Sequence, residues 1–348
     1  MSKPTKYGFN MLWLFSAGKD RIPAEPDERE LDFIAEEGFN FIRVPMDYRF
    51  WTDGEDYFHP DDKVLKLIDN CIAKCNERGL HVCLNLHRAP GYCINRPEIE
   101  KHNLWRDEEA LNGFLYLWGM FAERYHGIPS EKLSFDLLNE PDQILPTHPC
   151  TREDHERVIR KTVQTILAVD PERQIVIDGF NGGHNPLPEL ADLGIRNGVI
   201  HSGRGYTPFG LTHYRAEWVR NRDMNPPLPC WPGSYGEGEN WNIGRLRKFY
   251  AGWTELSAKG VPVHIGEFGC YNKTDNSTAL AWFRDLLTVF SENGWGYALW
   301  NFRGPFGIVD HGRPGTEYEN YKGFHVDRKL LELLKTAPAE NGGPLFID

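Results

Sequence analysis

What most constrains this chain is an alternation. Short apolar runs that read as strands are separated by longer amphipathic stretches that read as helices, and the pair recurs along most of the sequence. The strand-like runs are 7–12, 39–44, 81–86, 133–138, 174–178, 199–202, 263–266 and 296–300. Helical stretches are read at 26–37, 61–78, 107–125, 152–169, 245–259, 278–292 and 328–334. In the second of these, Val64, Leu65, Ile68, Ile72 and Cys75 fall on one face, and Gly79 follows as a stop. About eight strand–helix units in 348 residues, roughly 43 residues each, predict an α/β fold of one kind: a parallel sheet closed on itself, a single (β/α)8 TIM barrel. An open doubly wound sheet is the alternative, but no Gly-rich dinucleotide fingerprint follows the first strand. With no low-complexity linker, the expectation is one catalytic domain over 1–348, its barrel at about 6–336 and a short C-terminal tail.

Charge and cysteine usage remove several function classes. Lys and Arg number 39 against 50 Asp and Glu, a net charge of −11 with no basic run, which excludes a chain that grips nucleic-acid phosphates or an anionic membrane surface. No run approaches the roughly 18 apolar residues of a spanning helix. The seven cysteines cannot all pair within one chain, and no second Cys or His pair complements Cys71 and Cys75 to make a zinc site. Lys3 and Lys6 precede an apolar stretch at 9–15 that imitates a secretory signal, but it is short, carries Asn10 and lacks a small-residue cleavage site. The expected compartment is the cytoplasm; a secreted chain with its signal removed would read the same way.

In a closed barrel, function sits in the loops after the strands. The residues there are Arg43, His87, Asn139 with Glu140, Arg204 with Tyr206, Glu267 and Trp300. Glycosidic bonds are broken by two carboxyl groups, one protonating the leaving oxygen and the other attacking the anomeric carbon or activating water. Glu140, before Pro141, also fits a turn residue, and Glu267 a buried salt-bridge partner. As a pair, each after an apolar strand and with Asn139 able to hydrogen-bond a sugar hydroxyl, they point to that chemistry. Eleven Trp and 14 Tyr offer flat faces for a pyranose, with Trp13, Trp51, Trp105, Trp218, Trp231 and Trp241 as groove candidates. The long excursion 202–242, stiffened by Pro226-Pro227-Leu228-Pro229, is expected to form one wall of the cleft.

Leu138-Asn139-Glu140-Pro141 and Ile265-Gly266-Glu267-Phe268-Gly269 resemble the acid/base and nucleophile motifs of glycoside hydrolase family 5, the cellulase family. Phe41-Ile42-Arg43-Val44-Pro45, the segment from Asn85 to Gly91 around His87, and Leu299-Trp300-Asn301 are similar to its motifs on strands two, three and eight. The resemblance implies Glu140 as general acid/base, Glu267 as nucleophile and Asn139 as the holder of the substrate 2-hydroxyl. It also implies Trp300 as the floor under the attacked sugar, His87 as an orienting group, and Arg43 beside Glu267, where a cation favours an ionised carboxylate. One place departs from the pattern: where a His-x-Tyr motif is expected, the chain reads Arg204-Gly205-Tyr206, and a second register through His213 and Tyr214 is open. Tyr206 is preferred, and Arg204 is expected to alter the shape of the negative subsites.

The implied enzyme is monomeric, uses no metal or cofactor, and acts on an oligo- or polysaccharide. It is a retaining hydrolase of β-linked glucan, endo-β-1,4-glucanase-like, with β-mannan, β-1,3-glucan or exo-acting β-glycosidase activity as alternatives. A sugar-phosphate isomerase or aldolase would use Gly266, Gly269, Gly304 and Gly307 as an anion site, but the acidic pair would repel phosphate. A non-catalytic carbohydrate-binding barrel would keep the aromatics and lose one glutamate.

Overall fold

Eight parallel strands close into a ring in the computed structural model, which describes residues 5–15, 22–95, 100–142, 149–219, 226–235 and 240–340. They are β1 (Tyr7–Asn10), β2 (Phe41–Asp47), β3 (His81–Ala89), β4 (Leu133–Asp136), β5 (Gln174–Asp178), β6 (Ile200–Gly205), β7 (Val263–Phe268) and β8 (Gly296–Leu299). Each pairs with its sequence neighbours, and the ring is shut by β1 against β8, where Gly8 lies opposite Ala298 on one side and Phe41 of β2 on the other. The expected (β/α)8 barrel is the observed fold.

Strand ends differ from the apolar pattern in an informative direction. β3, β6 and β7 run past it through His87, Arg204 and Glu267, whereas β4 stops at Asp136. Polar residues at the far ends of the strands stay in the ladder because their side chains find partners inside the ring, a tertiary effect that hydrophobic periodicity does not register.

The outer layer is α1 (Glu28–Glu36), α2 (Asp62–Glu77), α3 (Glu108–Arg124), α4 (Arg152–Val169), α5 (Ala191–Asn197), α6 (Ile243–Phe249), α7 (Ala251–Ala258), α8 (Asn276–Glu292) and α9 (Arg328–Glu340). Asp27 and Asp61 cap α1 and α2, and Thr151 with Asp154 forms a capping box on α4. α5 has no counterpart among the predicted helices: it is seven residues long and buries only Leu193 and Gly194, too little for a periodic signal. The stretch predicted as one helix over 245–259 is α6 and α7, parted at Tyr250, whose buried hydroxyl donates to the Arg204 carbonyl at 2.8 Å. A hairpin of Glu319–Tyr321 and Phe324–Val326, also unforeseen, packs Phe324 on Phe33 of α1. All seven cysteines carry free thiols.

Candidate active site

The strand ends bring two buried cations and four carboxylates to one rim. Arg43 of β2 donates from Nη1 to Glu267 Oε1 at 2.6 Å and to Asn10 Oδ1 at 2.9 Å. Its Nε reaches Asp136 Oδ2 at 2.7 Å and its Nη2 reaches Asn139 Oδ1 at 2.9 Å. Asn10 in turn donates to the Gly266 carbonyl at 2.9 Å, tying β1 to β7 beneath the glutamate. The other oxygen of Glu267 accepts from the Tyr206 hydroxyl at 3.1 Å, so both oxygens have a donor and the carboxylate is fixed in direction. Burial, and then the charge of Glu267, push the Tyr206 phenol well above its usual range, which keeps it a donor.

Arg204 of β6 is the second cation, and it is fully buried. Nε donates to Glu140 Oε1 at 2.9 Å, Nη1 to Asp178 Oδ1 at 3.0 Å, and Nη2 to Asn139 Oδ1 at 3.0 Å and to Asp178 Oδ2. Nη2 also lies 3.3 Å from Glu267 Oε1, so one guanidinium touches both glutamates. Glu140 itself has φ 50°, in the left-handed region where a non-glycine residue is strained. Its N–H donates to Asp178 Oδ2 at 2.9 Å, and its carbonyl accepts from the Tyr92 hydroxyl at 2.6 Å; these two bonds hold the conformation.

Charge balance then dictates protonation. Two guanidiniums cannot neutralise four ionised carboxylates, and an uncompensated buried charge is costly. Burial first, then repulsion from Glu267 and Asp178 against the attraction of Arg204, push Glu140 up to about 8. Burial and Asp178 raise Asp136 to about 7. His87 is held well below its usual value by burial and by Arg43, so its ring is neutral. That ring meets Asn95 Oδ1 at 2.8 Å and stacks on Trp300 with centroids 5.5 Å apart, and Phe15 lies edge-on to both.

Arg43, His87, Asn139, Glu140, Tyr206, Glu267 and Trp300 thus all meet at one rim. Of the two tyrosine registers, Tyr206 reaches Glu267, while Tyr214 is buried with a hydroxyl that has no hydrogen-bond partner among the described residues. Arg204, at the place where the family pattern has a histidine, spends its donors on Glu140, Asp178 and Asn139. Trp51, Trp105 and Trp241 are core residues rather than groove residues, because the loops carrying them fold back onto the helical layer. Trp13 and Trp231 are half-buried, and Trp218 is 57% exposed, edge-on to Tyr271 at 4.8 Å. Within the expected wall, 220–225 and 236–239 lie outside the described residues. Asn10, Asp136 and Asp178 were missed: Asp178 closes the run 174–178 and carried the same signal as the others, whereas Asn10 and Asp136 fall inside the runs 7–12 and 133–138 and become strand ends only in the structure.

The family model for cellulases, glycosyl hydrolase family 5, matches residues 5–304. Endoglucanase C of Acetivibrio thermocellus is 26% identical over 299 residues, covering 79% of this chain and 83% of that protein. Cellodextrinase A of Ruminococcus flavefaciens is 23% identical over 281 residues, 79% of this chain and 78% of that one. A solved structure described as a glycoside hydrolase is 54% identical, with a TM-score of 0.90 over 96% of this chain and 99% of the other. Thermotoga maritima Cel5A, solved as a mutant form with cellobiose, is 25% identical with a TM-score of 0.74 over 95% and 96%; it has also been solved with mannotriose.

Proposed function

Since this chain belongs to glycosyl hydrolase family 5, the cellulase family, and is a glycoside hydrolase, we propose that it cleaves β-1,4-glucan internally with retention of configuration. One observation carries the reading: two glutamates meet a single buried guanidinium, and burial pushes Glu140 up to about 8, so that it holds its proton at neutral pH.

Glu267, aimed by Arg43 and Tyr206, attacks the anomeric carbon as the bond to the leaving oxygen breaks and Glu140 delivers its proton to that oxygen. The result is a glycosyl ester on Glu267 and a carboxylate on Glu140. Water then gives a proton to Glu140 while its oxygen bonds to the anomeric carbon, and Glu267 leaves as carboxylate. In this reading Asn139, whose Oδ1 accepts from both arginines, meets the sugar 2-hydroxyl, and Trp300 underlies the attacked sugar.

Proton NMR of the first product from a β-glycoside is expected to give the β anomer; an α anomer would mean a water-mediated inversion and a different role for one glutamate.

Endo action is supported by the likeness to endoglucanase C and by the exposed ring of Trp218, which is linked to Tyr206 through the buried ring of Phe306, 6.2 Å from each. The likeness to cellodextrinase A and the mannotriose complex of Cel5A favour a second reading, action on short oligosaccharides or on mannan. Carboxymethyl cellulose viscosity followed against reducing ends separates the two. An early collapse of viscosity is expected, and steady release of one small sugar at constant viscosity would replace the endo assignment.

A further inference from the structure

Arg204 is too deep to touch substrate, yet the chain around it is cut to its shape. A Cβ on Gly183 would fall 2.5 Å from Arg204 Cγ, and one on Gly266 would fall 2.5 Å from Ser202 Oγ and 2.9 Å from Arg204 Nη1. Asp178 grips both terminal nitrogens, and one of the same oxygens receives the Glu140 N–H, so Asp178, Arg204 and Glu140 form one rigid unit.

We propose that Arg204, fixed by Asp178, is a positioning residue whose charge is divided between the two glutamates in the free enzyme and passes to Glu140 once Glu267 is esterified. This rests on the reading of Glu140 as acid/base and Glu267 as nucleophile. The guanidinium is 2.9 Å from Glu140 and 3.3 Å from Glu267, close enough to serve either. Glycosylation removes the charge of Glu267, and proton donation leaves a new carboxylate on Glu140 that faces Arg204 without that competitor. A guanidinium remains charged throughout the cycle and takes no part in the proton exchange of Glu140. The groups facing Glu140 are Arg204 and Tyr206 from β6, Asp178 from β5, Glu267 from β7 and Tyr92 after β3. Among these Glu267 and Asp178 raise its proton affinity and Arg204 lowers it.

The test titrates Glu140 directly, by carbon-13 NMR of the full chain labelled at glutamate carboxyls, with Glu140→Gln to assign the signal. Glu267→Gln stands in for the esterified nucleophile. Arg204→Gln is expected to raise the proton affinity of Glu140 at least about tenfold, one pH unit of midpoint, and by more in the Glu267→Gln background. Arg204→Lys, which keeps the charge, restores most of the difference, and Asp178→Asn moves the midpoint the opposite way. An unmoved midpoint in folded Arg204→Gln, or equal midpoints for Arg204→Lys and Arg204→Gln, would overturn the proposal. Should Arg204→Gln not fold alone, the Arg204→Gln, Asp178→Asn double variant, which leaves no unpaired buried carboxylate at 178, is read against Asp178→Asn alone, with the same rise expected and an unmoved midpoint overturning the proposal. The titration needs no turnover, so an intact chain with these midpoints and no hydrolysis would sink the proposed function and leave the charge relation standing.

Discussion

Glu267→Ala is expected to abolish turnover on every glycoside, activated or natural, by at least about 10⁴-fold. No leaving group, however good, removes the need for a nucleophile in the first step. The substitution takes one partner from Arg43 but leaves Asp136, Asn10 and Asn139 bound to it, so the barrel keeps its central cation in place. Thermal unfolding of the variant checks that the loss is chemical, and kcat on a dinitrophenyl glycoside and on a cello-oligosaccharide measures it. Retention of more than about one per cent of either rate, far above what loss of an essential nucleophile leaves, would assign the attack to another group.

Glu140→Ala should divide substrates that Glu267→Ala treats alike. Proton delivery by a placed acid contributes about 10²–10⁴-fold when the leaving oxygen is a poor one, so natural oligosaccharides lose that much. Dinitrophenolate departs without a proton, so glycosylation survives and the glycosyl-enzyme accumulates for want of a base. Azide then attacks it and restores turnover, giving a glycosyl azide. The pH profile carries the same signature. Glu140 holds its proton below about 8 and loses it above, so kcat/KM for poor leaving groups falls on the alkaline side of that value in the intact enzyme, and this limb disappears in the variant. Equal losses on both substrate types without azide rescue would mean that the roles are exchanged or mistaken.

All eight strands were legible because each is an apolar run bounded by turn residues, and parallel strands buried on both faces leave that trace. The glutamates were legible because polar residues interrupting such runs at the same end stand out. The same rule reaches Asp178, which closes its run, but not Asn10 and Asp136, which sit inside apolar runs that continue to Leu12 and Leu138 and gain their meaning only when the ring brings them to Arg43. Arg204 resisted for a different reason: its surroundings come from β4, β5 and β7, and no local pattern around residue 204 states that four carboxylates await a cation. α5 and the hairpin at 319–326 are short elements whose stability comes from tertiary packing rather than from their own sequence.

Closure of the ring by β1 against β8 has a consequence for synthesis. Tyr7 must find Tyr297, 290 residues later, and Asn10 reaches the carbonyls of Ala298 and Leu299 only when β8 is in place. At a ribosomal pace of about 5–20 residues per second, the first strand waits roughly 15 to 60 s for its final partner. Its open hydrogen-bonding edge stays exposed through that interval, the span in which a chaperone or a neighbouring nascent chain can reach it. A chain interrupted before Gly296 would have made Arg43, Glu140 and Glu267, yet Asn10, which steadies Arg43, would still lack its β8 anchors.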